Sequence, residues 1–153
     1  MVTRFNNKTY KEYEDFHFMH IEKELQDIGY RIYNTPKKIG EKYELGCIML
    51  LLEMNNDRNE LMGISRIHNL GTDHVLCEYR NVYEVMNYNR YSYEGVDYKK
   101  IHEKNKNDMI IKLEECLFKG YHHMKRGTGI ERCGKMYDNE ELIYELEKYM
   151  RTE

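Results

Sequence analysis

Tryptophan is absent from this 153-residue chain and proline occurs once, at Pro36. So few proline breaks leave nearly every residue able to donate a backbone hydrogen bond, and they exclude a polyproline linker or arm. No apolar run approaches the ~20 residues that a membrane-crossing helix needs. There is no cationic excess either: 24 Lys and Arg stand against 27 Asp and Glu, a formal net charge of −3. Whole-molecule attraction to nucleic acid or to anionic membranes is thereby excluded, and any anion site must be local. The four cysteines, Cys47, Cys77, Cys116 and Cys133, form no CxxC pair and follow no leader-like segment. A disulfide framework and a paired zinc motif are not expected, and reduced thiols in a cytoplasmic or nuclear setting are. No stretch fits GxxxxGK[ST], which argues against a nucleotide-hydrolysing loop.

What the chain does have is tyrosine, fifteen of them, with abundant Asn, Lys and Ile. That bias matches coding in an AT-rich genome, as in intracellular parasites or large DNA viruses, and it warns against reading every Tyr or Asn as functional. The length is that of one ordinary domain, able to bury a core without metal or disulfide support.

Residues 46–69 read as a central β-hairpin. Cys47 to Met54 is almost continuously apolar and too short for an ordinary helix, which fits a strand buried on both faces. The polar residues Asn55 to Asn59 suit a turn, because Asn and Asp cap their own backbone and tolerate left-handed dihedrals. Leu61 to His68 returns as the second strand, with Gly63 leaving room for a bend or a close neighbour.

Around the hairpin, Thr9 and Glu12 form a capping-box pattern, and Tyr10, Tyr13, His17, Ile21, Leu25 and Ile28 recur at helical spacing as far as Gly29. Tyr30 to Tyr33, His74 to Tyr79, Val82 to Met86 and Ile130 to Cys133 read as further strand segments. Asn107 predicts a cap for a helix from Asp108 to about Phe118, with Gly120 as its stop. Asp138 with Glu141 predicts a second capping box, with Leu142, Leu146, Tyr149 and Met150 as the inner face of a C-terminal helix. The expected fold is α+β: a small, curved, mostly antiparallel β-barrel flanked by N- and C-terminal helices, in one domain.

Two stretches carry chemistry. The first, Lys119 to Gly129, sets Lys119, His122, His123, Lys125 and Arg126 around Gly127-Thr128-Gly129. Flexible glycine amides beside cationic side chains can approach phosphate oxygens directly, although a basic loop without a ligand has the same composition. The second is Tyr88, Arg90, Tyr91 and Tyr93. In a strand Tyr91 and Tyr93 share a face at a pitch on which bases stack, while cross-strand packing at a barrel end would use tyrosines equally well. Metal binding is not expected. His17 and His20, or His74 and Cys77, are each half a site without a matching second half.

The segment Pro36-Lys37-Lys38-Ile39 leads to Leu45-Gly46 and an apolar strand, then to a polar hairpin and Leu61-Met62-Gly63-Ile64. This order, after an N-terminal helix, resembles the PUA-like superfamily, which includes the YTH, EVE and ASCH domains. The resemblance implies a small barrel and binding to RNA or modified bases. The YTH cage uses tryptophan, which this chain lacks, so methyl-base recognition is not carried over.

The expected function is therefore that of a non-enzymatic RNA-binding module, without cofactor or metal. It would dock on mRNA or on structured RNA such as the ribosome through the basic Gly-rich loop and the Tyr-rich strand. The alternative is a protein-interaction or adaptor domain of an intracellular parasite or large DNA virus, with the tyrosines as its contact surface. Phosphate-ester chemistry by His122 or His123 ranks lower, because no carboxylate or nucleophile accompanies them at a fixed spacing.

Overall fold

The structure, a computed structural model, describes residues 1–70, 79–134 and 139–152. Its centre is the expected hairpin, β3 (Ile48–Asn55) and β4 (Glu60–His68). In β3, Leu51 and Glu53 face one packed layer while Leu52 and Met54 face another, so the expected burial on both faces holds from Leu51 onward, whereas Ile48 is 59 % exposed and Met49 and Leu50 are half-buried. The turn works as its composition predicts. Asn55 Oδ1 accepts from the Asp57 and Arg58 amides at 3.1 and 3.2 Å, and Asn59 takes a positive φ of 56°.

Three more strands complete the sheet: β1 (Val2–Phe5), β2 (Arg31–Thr35) and β5 (Tyr91–Lys100). The order is β1-β3-β4-β5-β2, antiparallel except for the parallel β1–β3 pair. The sheet curls through 241° into a half-barrel, leaving β1 and β2 as its two edges. Register shifts at Glu53/Met54 and Ile64/Arg66 help it bend. Glycines supply the remaining space: a Cβ on Gly63 would strike the Tyr98 ring, and one on Gly95 the Tyr33 ring. Gly63 thus admits an aromatic ring onto the sheet backbone.

Helix α1 (Asn7–His20) covers one face and buries Tyr10, Tyr13, Phe16 and His17 against Phe5, Ile32, Tyr33, Leu51 and Ile67. It starts earlier than the Thr9–Glu12 pattern predicts, because Asn6 is the cap and Thr9 its reciprocal partner. It also ends before Gly29. The chain turns at Ile21 into a short α2 (Lys23–Asp27), and Gln26 Nε2 donates to the Ile21 carbonyl and to the His17 carbonyl, which the Ile21 amide also reaches at 3.4 Å.

The layer under α1 has a polar centre. Glu53 is 0 % exposed, and its Oε1 accepts from the Tyr13 hydroxyl at 2.5 Å and the Tyr33 hydroxyl at 2.7 Å. Ser65 in turn donates to Tyr33 Oη at 2.8 Å, and the Arg31 guanidinium lies 3.9 Å from the Tyr98 ring centre. Burial raises the Glu53 pKa, with the Tyr13 hydrogen bond and Arg31 pulling the other way. His17 is held nearby by the Ile32 amide, which donates to Nε2 at 2.8 Å, and by the Tyr13 carbonyl, 2.6 Å from Nδ1. This fixes the neutral ring with its proton on Nδ1, and burial together with Arg31 lowers its pKa to about 3. The HxxH pair is therefore split: His17 packs, while His20 is exposed against Phe16.

On the other face lie α3 (Asp108–Phe118) and α4 (Glu140–Arg151), burying Ile110, Leu113, Leu117, Leu146 and Tyr149 against Leu52, Met54, Leu61 and Ile64. Asn107 caps α3 as expected, and Asn139 caps α4. Asp138 lies outside the described residues, as do His74 to Glu78 of the expected third strand, with its His74–Cys77 pair. Val82 to Met86 is not a strand. Val82 and Tyr83 are buried in a loop that Asn89 clasps through both backbone groups of Tyr83, and Met86–Asn89 forms a 3₁₀ turn. Ile130 to Cys133 contributes a single bridge, Glu131 with Val2, rather than a closing strand. No described helix is long and apolar enough to cross a membrane.

Two outcomes test this packing. Gly63→Ala should lower stability by about 1–3 kcal/mol, the usual cost of overpacking, seen as a lower urea midpoint at unchanged slope. For His17 the folded-state pKa lies below the unfolded one, so its contribution is complete above pH 6.5 and is lost as pH falls towards 3. Wild-type stability should therefore lose up to roughly 1.4 kcal/mol per pH unit below 6.5 through this group. His17→Gln should flatten that dependence, and parallel wild-type and variant curves would refute the assignment.

Candidate nucleic-acid interface

The two sheet edges border one cavity of about 280 Å³, with Thr3, Arg4 and Phe5 from β1 and Asn34, Thr35 and Pro36 on the β2 side. Its remaining wall includes Asn56 from the hairpin turn, Tyr83 and Tyr88 from the loop before β5, and Gly127, Thr128 and Gly129. Two stretches that look unrelated in sequence, the Gly-rich loop and the start of the Tyr-rich segment, thus meet at one place.

The loop is pinned there by groups from the opposite end of the chain. Arg4 Nε donates to the Met124 carbonyl, and Arg4 Nη2 lies 2.9 Å from Glu131 Oε2. Asn56 Nδ2 donates to the Lys125 carbonyl at 2.9 Å, and Lys125 Nζ to Asn59 Oδ1 at 2.7 Å. The Val2 and Glu131 backbones exchange two hydrogen bonds, of 2.7 and 3.0 Å. Between these anchors the chain passes through φ values of 119° at Gly127 and 83° at Gly129, where a Cβ would strike the Glu131 carboxylate or lie 2.8 Å from Thr35 Oγ1. Only glycine passes the seam without strain.

Three lining side chains each keep a buried polar atom without a protein partner. Asn34 donates through Nδ2 to Arg80 O at 2.9 Å and Asn89 Oδ1 at 3.0 Å, which leaves Oδ1 unpaired. Asn56 likewise keeps Oδ1 unpaired, and Arg4, with a side chain 6 % exposed, keeps Nη1 unpaired. Each such group costs about 1–3 kcal/mol relative to a satisfied one, and each of these atoms exposes less than 1 Å², so it lies behind the cavity wall. Other unpaired atoms, such as Glu53 Oε2 and the Tyr10 hydroxyl, belong to the core against α1. A larger cleft of about 530 Å³ beside α4 is lined by Ile48, Leu50, Leu142, Ile143 and Leu146. Of its charged residues Arg66, Glu140 and Glu147, the first and last are paired with each other.

The residues expected to bind RNA are distributed unevenly around the seam. Gly127, Thr128, Gly129 and Tyr88 line it, and Tyr88, 39 % exposed, meets Tyr83 edge-on at 6.1 Å. Lys125 and the exposed Arg126 immediately precede the glycines. Lys119 pairs with Glu115 on the surface at 3.6 Å, and His122 lies exposed beside Tyr121. His123 Nδ1 accepts from the Lys125 amide at 3.3 Å. Tyr91 is half-buried with Lys38 Nζ and Arg90 Cζ each 5.6 Å from its ring centre. Tyr93 is 3 % exposed and its hydroxyl accepts from the Ile39 amide at 2.8 Å, so the expected Tyr91–Tyr93 stacking pair does not form and Tyr93 serves packing.

Arg4, Asn34 and Asn56 have no counterpart in the sequence reading. Asn56 looks like an ordinary turn residue, and Arg4 and Asn34 gain significance only when β1 and β2 face the same cavity. Among the described residues neither His122 nor His123 is joined to a carboxylate, and no cluster of three or more metal-ligating side chains occurs. No protein-family model matches the chain, and neither a curated protein nor a solved structure matches it significantly.

Arg4→Met should cost about 1.5–3 kcal/mol, the range for hydrogen bonds to a charged group, because it unties the loop from β1. Trypsin should then cut after Lys125 or Arg126 faster than in wild type, and an unchanged cleavage rate would show that Arg4 is not the anchor.

Proposed function

We propose that the chain is a non-enzymatic RNA-binding module whose contact surface is the seam of the half-barrel and the loop that threads it. The observation that carries this reading is the meeting of Gly127-Thr128-Gly129, Tyr88 and Arg4 around one cavity, with Lys125 and Arg126 immediately before the glycines. The exposed Gly127 and Thr128 stand beside Arg126, and Lys37 packs within 3.4 Å of the position a Gly129 Cβ would take. Local positive charge next to an exposed, glycine-rich backbone suits phosphate, even on a protein of net charge −3. Tyr88 adds an aromatic face for a base, as single-stranded segments require. The target is mRNA or an unpaired segment of a structured RNA such as the ribosome, met in the cytoplasm or nucleus. The half-barrel with flanking helices supports a PUA-like reading of the same surface.

A second reading, as a protein-interaction or adaptor domain, draws on the exposed Val85 and Met86 beside Tyr88. A complex from native cells that survives nuclease would favour it over RNA.

The RNA reading is tested with Lys125→Glu/Arg126→Glu. Affinity for single-stranded RNA should fall at least tenfold, and the slope of log affinity against log salt should shrink by about 2, one for each lost phosphate contact. Tyr88→Ala should cost about 1–3 kcal/mol with the slope unchanged. Wild-type affinity in the double variant, its fold confirmed by circular dichroism, would remove the loop from the interface.

A further inference from the structure

Resting on the RNA reading, we infer that the bound strand runs on from the seam across the β2–β5 side of the sheet, where Lys38 and Arg90 hold its phosphates. The Gly-rich loop and that surface adjoin. Gly129 abuts the end of β2, where the position of its missing Cβ lies 2.8 Å from Thr35 Oγ1 and 3.4 Å from Lys37 Cβ. Thr35 is paired with Tyr91, the first residue of β5. Beside the Tyr91 ring stand two cations, with Lys38 Nζ and Arg90 Cζ each 5.6 Å from its centre. From Arg126 the surface thus leads through the glycines and Lys37 to the Lys38–Tyr91–Arg90 group.

Lys38 and Arg90 are both exposed, and neither forms an ion pair with a described carboxylate. Acidic groups on the adjoining loops are engaged elsewhere, Glu84 with Lys8 at 2.8 Å and Glu131 with Arg4 at 2.9 Å. The backbone under each cation is fixed while its side chain stays in water. After Lys38, Ile39 is buried and its amide donates to the Tyr93 hydroxyl at 2.8 Å; before Arg90, Asn89 is buried and clasps both backbone groups of Tyr83. The ring of Tyr91 draws the two charges in, but like charges so gathered repel each other, and a polyanion relieves that repulsion. Rigid backbone keeps the entropy cost of binding low. Because Tyr91 is half-buried and engaged by the two cations, it acts as a positioning residue, and the strand passes here by its phosphates rather than its bases. Contacts of that kind position a strand without reading its sequence.

The test uses the full chain and labelled dodecamers of uridine and of cytidine, titrated over a range of salt. Lys38→Gln/Arg90→Gln should weaken binding at least fivefold, equally for both dodecamers, and should shrink the slope of log affinity against log salt by about 1–2. Lys112→Gln/Lys148→Gln removes two exposed cations from α3 and α4 instead, and should change affinity less than twofold. Tyr91→Leu should lose two- to fivefold, whereas Tyr91→Phe, which keeps the ring, should bind as wild type does. Wild-type affinity in Lys38→Gln/Arg90→Gln, in a chain still sensitive to Lys125→Glu/Arg126→Glu, would overturn the extended path and leave the RNA reading standing. An equal loss in Lys112→Gln/Lys148→Gln would do the same, since net charge alone would then account for it. Failure of the wild-type chain to bind either dodecamer would overturn both.

Discussion

A carboxylate without access to solvent holds this structure together. Glu53 is costly to bury, and the chain offsets that cost by bringing two phenol hydroxyls to the same oxygen, Tyr13 from α1 and Tyr33 from β2. Ser65 of β4 extends the chain of hydrogen bonds to a fourth element. A helix, an edge strand and both strands of the hairpin are thereby tied to one point, and slipping any of them by a residue would leave a buried polar group unpaired. The curvature follows the same demand. Tyr33 can lie across the sheet only because Gly95 carries no side chain, and Tyr98, over which Arg31 rests, depends on Gly63 in the same way. Polar anchoring and backbone economy act together, and the sheet bends around them.

Because the sheet stops at 241°, its two edges remain distinct, and the Gly-rich loop passes between them. A fully closed barrel would satisfy β1 and β2 with each other and leave no room between them. Here the free edge of β1 is met at Val2 by Glu131, and Gly129 reaches Thr35 at the end of β2. The loop acts as a narrow stopper that leaves amide and guanidinium groups unpaired around the cavity. Stability is given up locally at the seam while the core under α1 and the apolar layer under α3 and α4 supply it elsewhere.

What could be read from the residues divides along the range of the signals. The hairpin, the Asn107-capped helix and the inner face of α4 are written in neighbouring positions, so periodicity and capping chemistry locate them. The start of α1 lies three residues before the one that Thr9 and Glu12 predict, because Asn6 and Thr9 form an equally good capping box. Strand β1 leaves no signal in its neighbouring residues. Four residues carry too little pattern, and its parallel partner lies some fifty positions away. The candidate site splits in the same manner. The glycines, their basic neighbours and Tyr88 announce themselves by composition, whereas Arg4, Asn34 and Asn56 become a group only through space. Tyr93 shows the reverse error: a residue type that suits both stacking and packing, assigned by local pattern to a role that its burial rules out.

The bridge between Val2 and Glu131 joins residues separated by most of the chain. Contacts of such span form slowly, since a long loop must close before they return any free energy. The local hairpin and helices can assemble first, whereas the Arg4 clamp must wait until residues 124–131 have been made and α3 has docked. In time as well as in space the seam is therefore the final joint: the molecule acquires a packed sheet before the loop at residues 124–131 is clamped between its edges.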